Sequence, residues 1–226
     1  TPKNNAHNKN AMGVEYEIEL NPKYKYEGFN RFVSDKLNWV VSNDGSLRGV
    51  AYEYITSPCV ADKHLEDLSL FEAKLESITK TPVADVLLKS HRTSTHVHLN
   101  FCGTSVEEQL KFISLYYLFE QVFLALADED RRSNTYCVSS NTIPFQISDN
   151  IEGRRSYTTD ITEKDANKYA SLNFSRLFDQ GTIESRLMHG YKDRERAGNW
   201  LCVLDELKRA SRDKFTTLDN INKMYL

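Results

Sequence analysis

The sequence predicts an α+β protein, in which a mainly antiparallel sheet carries helices packed on one face. Two observations lead to this fold class. Segments in which apolar and polar residues alternate with a period of two, typical of half-buried strands, recur along the chain, and amphipathic helical segments separate them. The 226 residues, 40% of them hydrophobic, are enough to build one large core. We therefore expect a flexible polar tail over residues 1–11 and a single domain over residues 12–226.

The first predicted strand, Gly13 to Leu20, has one apolar face and one anionic face. Its apolar residues alternate with Glu15, Glu17 and Glu19. Neighbours on one face of a strand lie only ~7 Å apart, so three like charges in a row repel one another. This arrangement is favourable if cations lie over the anionic face. The alternative is an edge strand whose acidic residues discourage aggregation.

The segments that follow predict a short helix and a β-hairpin. Residues 29–37 form the candidate helix. The apolar run 39–41 indicates a buried strand, and residues 51–56 alternate as a second strand. Asn43-Asp44-Gly45-Ser46 lies between them and is a turn sequence, because these residues tolerate positive φ or hydrogen-bond locally. The two strands should pair as an antiparallel hairpin.

The rest of the chain predicts helices and strands in alternation. Residues 64–79 and 107–127 are candidate helices, and we expect the second to be central and buried because it is apolar on most faces. Thr104 or Ser105 is its candidate N-cap. The remaining predicted elements are strands over residues 96–101, 169–178 and 182–188, a polar loop over residues 128–162, and helices over residues 194–212 and 218–225.

Composition restricts the classes of partner and compartment. Net charge is −3 and the pI is near 6.1, so no basic field favours a nucleic-acid partner. Apolar runs stay short of the ~18 residues that a transmembrane helix needs, and the N-terminus lacks the apolar region of a secretory signal. The four cysteines are widely spaced, which favours free thiols in a reducing compartment. We expect a cytoplasmic protein without a membrane partner.

Four of the predicted strands carry charged or metal-ligating residues at alternate positions, so that these residues share one face of their strand. Carboxylate oxygens suit hard cations such as Mg²⁺ or Mn²⁺, and a minority of imidazole ligands is compatible with such sites. Taken alone, an H-x-H pair is commonly a surface feature and E-x-R a cross-strand ion pair. Together on one sheet they would form a single basin. The residues are Glu15, Glu17, Glu19, Glu53, His96, His98, Asn100, Glu184 and Arg186.

Five short segments, in this order, resemble the family of putative amidoligases. That family belongs to the carboxylate–amine ligase superfamily, with glutamine synthetase and glutamate–cysteine ligase. The resemblance covers most of residues 12–200. The segments are Gly13-x-Glu15-x-Glu17, Asp44-Gly45-Ser46-Leu47 with Glu53-Tyr54-Ile55-Thr56-Ser57-Pro58, Ser94-Thr95-His96-Val97-His98-Leu99-Asn100, Arg131-Arg132-Ser133-Asn134-x-Tyr136-Cys137, and Gly181-Thr182-Ile183-Glu184-Ser185-Arg186.

The resemblance implies a glutamine synthetase catalytic-domain-like fold, a curved sheet whose concave face holds ATP and Mg²⁺ or Mn²⁺. It implies roles for seven residues of the basin and for the two arginines Arg131 and Arg132. The implied metal ligands are Glu15, Glu17, Glu53, His96 and Glu184, with Glu53 also counted as catalytic. His98 and Arg132 would contact the nucleotide or its phosphates, Arg186 the γ-phosphate or acyl phosphate, and Arg131 would assist catalysis.

The implied reaction is ATP-dependent amide-bond formation. A small-molecule or peptide carboxylate attacks the γ-phosphorus, and an amine then attacks the acyl phosphate. Asp44, Glu19 and His189 are all candidates for the base that deprotonates the amine, and Asp44 is equally well explained as a turn residue. Arg154 and Arg155 would contact an anionic substrate or be solvated. Two other functions remain open, a metal-dependent phosphoesterase or nuclease and a non-catalytic binding module.

Overall fold

The computed structural model describes residues 8–127, 129–132, 137–139, 169–177 and 180–224. These residues form an α+β fold around an open, six-stranded sheet, in which every pair of neighbouring strands is antiparallel. The predicted fold class is therefore confirmed. The strands are β1 (Met12–Leu20), β2 (Val40–Ser42), β3 (Val50–Ile55), β4 (Ser94–Asn100), β5 (Leu172–Asn173) and β6 (Thr182–His189), in the spatial order β2-β3-β1-β4-β6-β5.

Helices occupy the segments between the strands. The long helices α2, α4 and α6 contribute buried residues to the same core as the sheet. The helices are α1 (Phe29–Phe32), which continues as a π-helical turn (Val33–Leu37), α2 (Ala61–Thr79), α3 (Val83–Val86), α4 (Val106–Leu126), α5 (Glu129–Arg132), α6 (Arg194–Arg212) and α7 (Leu218–Met224), with a 3₁₀ turn at Ser175–Leu177. No helix among the described residues is long and apolar enough to cross a membrane.

Strand β1 has the two faces that its alternation predicts. Val14, Tyr16, Ile18 and Leu20 are at most 2% exposed and join the hydrophobic core with residues of the long helices. The glutamates project from the other face. Because β1 lies between β3 and β4, it is an interior strand, and the alternative of an acidic edge strand is wrong. Aggregation control therefore does not explain its three acidic residues.

Two other elements differ from prediction for physical reasons. The strand at residues 39–41 was expected to be buried, but β2 is an edge strand and Val40 is 56% exposed. The strand expected at residues 169–178 is reduced to the two residues of β5. Asn173 Oδ1 accepts a hydrogen bond from the Ser175 N–H (3.0 Å), which turns the chain out of the sheet.

Helix α4 begins as predicted but is only half-buried. Ser105 caps it, and Ser105 and Glu108 form a reciprocal capping box. Phe112, Tyr116 and Phe123 are buried in the core, whereas four other apolar residues of the helix are exposed. The expectation of a buried helix therefore holds for only part of its surface. The exposed residues are Val106, Phe119, Val122 and Leu126.

A β-bulge interrupts the pairing of β4 with β6. His98 pairs with Glu184, but Ser94 pairs with His189, so β6 contains one extra residue over the same span. The extra residue lies where Leu187 and Met188, which are consecutive, both enter the core. In a regular strand, residues at an odd offset lie on opposite faces. The bulge brings Glu184 and His189 onto the same face.

Residues 8–10 of the predicted tail are in contact with the domain. The buried ammonium group of Lys208 donates hydrogen bonds to the carbonyl oxygens of Lys9 and Asn100, and Arg212 donates to Lys9 O (2.8 Å). Residues 1–7 of the predicted tail lie outside the described part of the chain. All four cysteines are free thiols, as predicted.

Candidate active site

The antiparallel register brings the polar residues of four strands together on one face of the sheet. Glu15 on β1 lies opposite His96 on β4, and Glu17 lies opposite Glu53 on β3. His98 in turn lies opposite Glu184 on β6. Directly opposed residues in an antiparallel pair share a face and have Cβ atoms about 5 Å apart. The sheet therefore assembles residues that are far apart in sequence into two neighbouring groups.

The first group, here called the histidine group, consists of Glu15, His96, His98 and Glu184. Ligand atoms of Glu15, His98 and Glu184 all lie within 4.8 Å of one another. His96 Nδ1 lies 3.2 Å from Glu15 Oε2 and 3.6 Å from Glu184 Oε1. His98 Nε2 lies 3.1 Å from the other oxygen of Glu15. Each oxygen of Glu15 therefore faces its own imidazole.

The second group, here called the carboxylate group, consists of Glu17, Asp44 and Glu53. One oxygen of each lies within 4.8 Å of the others. Asp44 comes from the turn between β2 and β3, where its Oδ1 also accepts a hydrogen bond from the Ser46 N–H (2.6 Å). The turn interpretation of Asp44 is thus confirmed, and the same residue faces the basin. All three donors are oxygens, the set that Mg²⁺ and Mn²⁺ prefer.

Nearby cations and hydrogen bonds balance the charge of the histidine group. Burial raises the pKa of Glu15, but hydrogen bonds from His96 and His98 outweigh it and hold that pKa well below its ordinary value. For Glu184, burial is likewise outweighed by Arg186 and the two imidazoles, and its pKa is lowered. Burial lowers the pKa of His98. The hydrogen bond to Glu15 and the charge of Glu184 have the larger, opposite effect, so the pKa is raised overall.

In the carboxylate group, the pKa of one member is shifted in the opposite direction. Burial, followed by repulsion from Glu15, Glu17 and Asp44, raises the pKa of Glu53 to about 7. A carboxyl group in this state is only half ionised near neutral pH. A divalent cation at this position would remove the repulsion, because its charge offsets three carboxylates. The donor set and its charge therefore both fit a hard cation.

Two polar residues that sequence reasoning gave no role support these groups. The Ser94 hydroxyl donates to Glu17 Oε2 and lies 2.6 Å from His96 Nε2. Asn173 Nδ2 donates to Glu184 Oε2 (2.9 Å). Ser94 belongs to a motif used for the family resemblance, and its even spacing from His96 and His98 is a signal that it shares their face. Asn173 is a polar residue between two apolar ones, which by itself carries no such signal.

The three predicted arginines have different surroundings. Arg186 Nη1 donates to Glu184 Oε1, while its Nε is buried and has no hydrogen-bond partner in the described part of the chain. Arg131 is buried and donates to the backbone carbonyl oxygens of Arg186 and Leu187. Arg132 is exposed and donates to the carbonyl oxygens of two residues near the end of α4, Leu124 and Ala125 (both 3.0 Å). The structure thus brings Arg186 to the basin and Arg131 behind it, and it directs Arg132 to a helix end.

The three base candidates also differ. Asp44 belongs to the carboxylate group. Glu19 is buried, and its Oε1 accepts a hydrogen bond from the Arg48 N–H (3.0 Å). His189 Nδ1 lies 2.7 Å from the carbonyl oxygen of Gly190 and so acts as the donor, and burial, the largest influence, lowers its pKa. Arg154 and Arg155 lie outside the described residues.

A cleft of about 360 Å³ opens beside the histidine group, at the end of the sheet where β1 begins. Glu15 and His98 line its inner side. Val40, Ile55 and Pro58 contribute to an otherwise largely apolar wall. Its size is within the range of clefts that bind small molecules, about 300–1,000 Å³.

The protein is thus an α+β protein with an open antiparallel sheet, whose polar face carries two adjacent candidate cation sites and an arginine. The chain belongs to the family described as putative amidoligase enzyme, whose model matches residues 3–207. The resemblance found in the sequence motifs is thereby confirmed, and the family name indicates a ligase. A comparison with curated proteins found no match.

Proposed function

We propose that the protein is an ATP-dependent carboxylate–amine ligase that forms an amide through an acyl-phosphate intermediate. The observation that carries this proposal is the pair of ligand groups built on alternate residues of β1. Glu15 and Glu17 lie on one face, ~7 Å apart, and each belongs to a different group. Two such sites on one strand suit a polyphosphate, whose successive phosphates need separate charge neutralisation.

The histidine group and the carboxylate group are the proposed ligands for two divalent cations, Mg²⁺ or Mn²⁺. When bound, the cations would neutralise the phosphate oxygens and the departing ADP. The chain's own residues hold these ligands in place. Asn173 orients Glu184, and Ser94 contacts Glu17 and His96.

Arg186 is the proposed contact to the transferred phosphoryl group. Its buried Nε–H has no acceptor among the described residues, and a guanidinium can only donate, so a phosphate oxygen is the kind of acceptor that it would take. Arg131 fixes the backbone beneath it by bonding the Arg186 carbonyl oxygen. A substrate carboxylate would attack the γ-phosphorus and release ADP. The amine would then attack the acyl carbon and release phosphate, leaving the amide.

The apolar cleft is the proposed site for the nucleoside part of ATP. Its described lining contains no Lys or Arg, and Glu15 is its only acidic residue, so it suits an uncharged group. Glu15 lines the cleft and also belongs to the histidine group, so a nucleoside in the cleft would place its phosphates beside the proposed cation ligands.

A hydroxylamine-trapping screen tests the reaction and does not require the natural amine. Hydroxylamine converts an acyl phosphate into a hydroxamate, which forms a coloured complex with iron. Candidate carboxylates can therefore be screened with ATP, Mg²⁺ and hydroxylamine, without the natural amine. We expect hydroxamate and ADP in equal amounts with at least one class of amino acid, peptide or other carboxylate. Glu17→Gln should abolish both products, and Glu66→Gln, an exposed residue on α2, should not. ATP-independent hydrolysis of phosphodiesters would instead favour the phosphoesterase alternative.

Alkylation of cysteines tests the position of the nucleoside. Cys102 lines the cleft, whereas Cys202 is exposed on α6 and serves as an internal control. With ATP and Mg²⁺ at ten times the Kd, the alkylation rate of Cys102 should fall about tenfold, because only the free protein reacts. The rate at Cys202 should not change. Equal protection of both residues, or of neither while ATP binds, would place the nucleoside elsewhere.

A further inference from the structure

The hydroxyl group of Ser94 connects the two ligand groups. Its oxygen contacts Glu17 Oε2 in the carboxylate group and His96 Nε2 in the histidine group. All three side chains are buried, with at most 6% of each residue exposed. Water therefore does not compete for these hydrogen bonds, and the three groups must satisfy one another.

The number of available protons determines the direction of these hydrogen bonds. A serine hydroxyl has one proton to donate, and a carboxylate can only accept. Ser94 therefore donates to Glu17, and its oxygen accepts from His96. His96 must then carry a proton on Nε2.

The other ring nitrogen, Nδ1, faces the centre of the histidine group. It lies 3.2 Å from Glu15 Oε2, 3.6 Å from Glu184 Oε1 and 3.5 Å from Arg186 Nη1. In the absence of a cation, an Nδ1–H would donate to Glu15. Because the bond to Ser94 occupies the Nε2–H, Nδ1 is the nitrogen whose lone pair can join the two carboxylates around a cation.

We propose that Ser94 is a positioning residue that fixes the Nε2–H tautomer of His96 and so makes Nδ1 a ligand for a divalent cation. This inference rests on the proposed function for the identity of the cation. In metal sites the second nitrogen of a ligating imidazole commonly donates to an oxygen that fixes ring and tautomer. Here the accepting oxygen is a hydroxyl that also holds a ligand of the neighbouring site.

The two imidazoles of the histidine group should consequently differ. His96 directs Nδ1 at Glu15, whereas His98 directs Nε2 at it. As ligands they would need opposite tautomers, with Nε2–H in His96 and Nδ1–H in His98. This difference gives a spectroscopic signature within one molecule.

Long-range ¹H–¹⁵N NMR of the metal-free protein tests the tautomer directly. In the wild type the His96 signals should show a proton on Nε2. Ser94→Ala should shift His96 to a mixture of tautomers, and Ser94→Thr, which keeps the hydroxyl, should restore the wild-type pattern. Ser185→Ala is the matched control, because it removes a buried serine hydroxyl from the opposite face of the same sheet. An Nδ1–H tautomer of His96 in the wild type would overturn the proposal.

Titration with Mn²⁺ tests the consequence for cation binding. Ser94→Ala should weaken Mn²⁺ binding by about 10- to 100-fold, the range found when the outer partner of a metal ligand is lost. Ser94→Thr and Ser185→Ala should bind like the wild type. Unchanged affinity in Ser94→Ala overturns the role of Ser94 but leaves the ligase proposal intact. Failure of the wild type to bind Mn²⁺ or Mg²⁺ overturns both.

Discussion

The two ligand groups on β1 differ in how their charge is balanced. The histidine group contains two carboxylates, two imidazoles and the contact from Arg186, and the pKa values of Glu15 and Glu184 are lowered. The carboxylate group contains three acidic residues, and the pKa of Glu53 is raised to about 7. The first group can persist without a cation because it supplies its own counter-charges. Because the pKa of Glu53 is raised, we expect the second group to respond more strongly to an added cation.

Among the further variants, the largest expected effect comes from removing the residue that balances the histidine group. Glu15 accepts from both imidazoles, so Glu15→Gln removes a charge and misorients His96 and His98. Hydroxamate formation should fall by about 10²- to 10³-fold, as when one electrostatic contact to a transition state is lost.

The control for this variant is Glu66→Gln, which changes an exposed carboxylate on α2. Thermal unfolding should show both variants folded. If Glu15→Gln retained wild-type turnover, the histidine group would not take part in the reaction.

A smaller effect is expected when the support behind Arg186 is removed. Arg131→Met leaves the carbonyl oxygens of Arg186 and Leu187 without their buried donor. Urea unfolding should show a loss of about 2–3 kcal/mol, typical for a hydrogen bond from a charged group. A change below the error of the measurement would mean that other donors replace the guanidinium.

The pH dependence of stability should sharpen the contrast between the groups. The folded-state pKa of Glu53 is raised from 4.5 to about 7, so this residue favours folding below pH 4.5 and loses that contribution as the pH rises to about 7. The metal-free wild type should therefore lose more stability than Glu53→Gln over this interval. Mg²⁺ should reduce the loss.

The measurement is the difference in Tm between wild type and Glu53→Gln across this pH range. Taking the difference removes the contributions of other groups that titrate nearby, including His98, whose pKa is also raised. A difference that is constant with pH would contradict the electrostatic account of the carboxylate group.

The smallest effect is expected at Arg132, the neighbour of Arg131. Arg132→Met removes hydrogen bonds from an exposed guanidinium to the end of α4. Exposed substitutions of this kind change stability by no more than about 0.5 kcal/mol. Turnover should equal that of the wild type in the hydroxamate assay, and a large loss would return Arg132 to the nucleotide site that the family resemblance implied.

Local periodicity was sufficient to predict most of the fold and to predict which face of each strand carries the polar residues of the two groups. The alternation in β1 predicted its buried and anionic faces, and the bounds of α6 agree with the predicted helix. The opposing pairs Glu15–His96 and Glu17–Glu53 depend on the register between neighbouring strands. This register is set by pairing between segments that are far apart in sequence. For the same reason Asn173 and the proximity of Asp44 to Glu17 were not predicted.

The two consecutive arginines show the limit of motif reasoning. Adjacent residues of an α-helix project about 100° apart, since one turn takes 3.6 residues. Arg131 and Arg132 in α5 therefore cannot both face the sheet. Sequence proximity made them equivalent candidates, and helix geometry separates them.

The bulge in β6 determines which residues of this strand reach the polar face. Because one extra residue lies between the segments that pair with His98 and Ser94, Glu184 and His189 reach the same face. In a regular strand of the same length, residues five positions apart would lie on opposite faces, and one of the two would be on the helix-covered side. Deleting the extra residue would remove the bulge and leave both residues opposite the same partners on β4. A one-residue gap at this point in a homologous chain is therefore compatible with the same polar face.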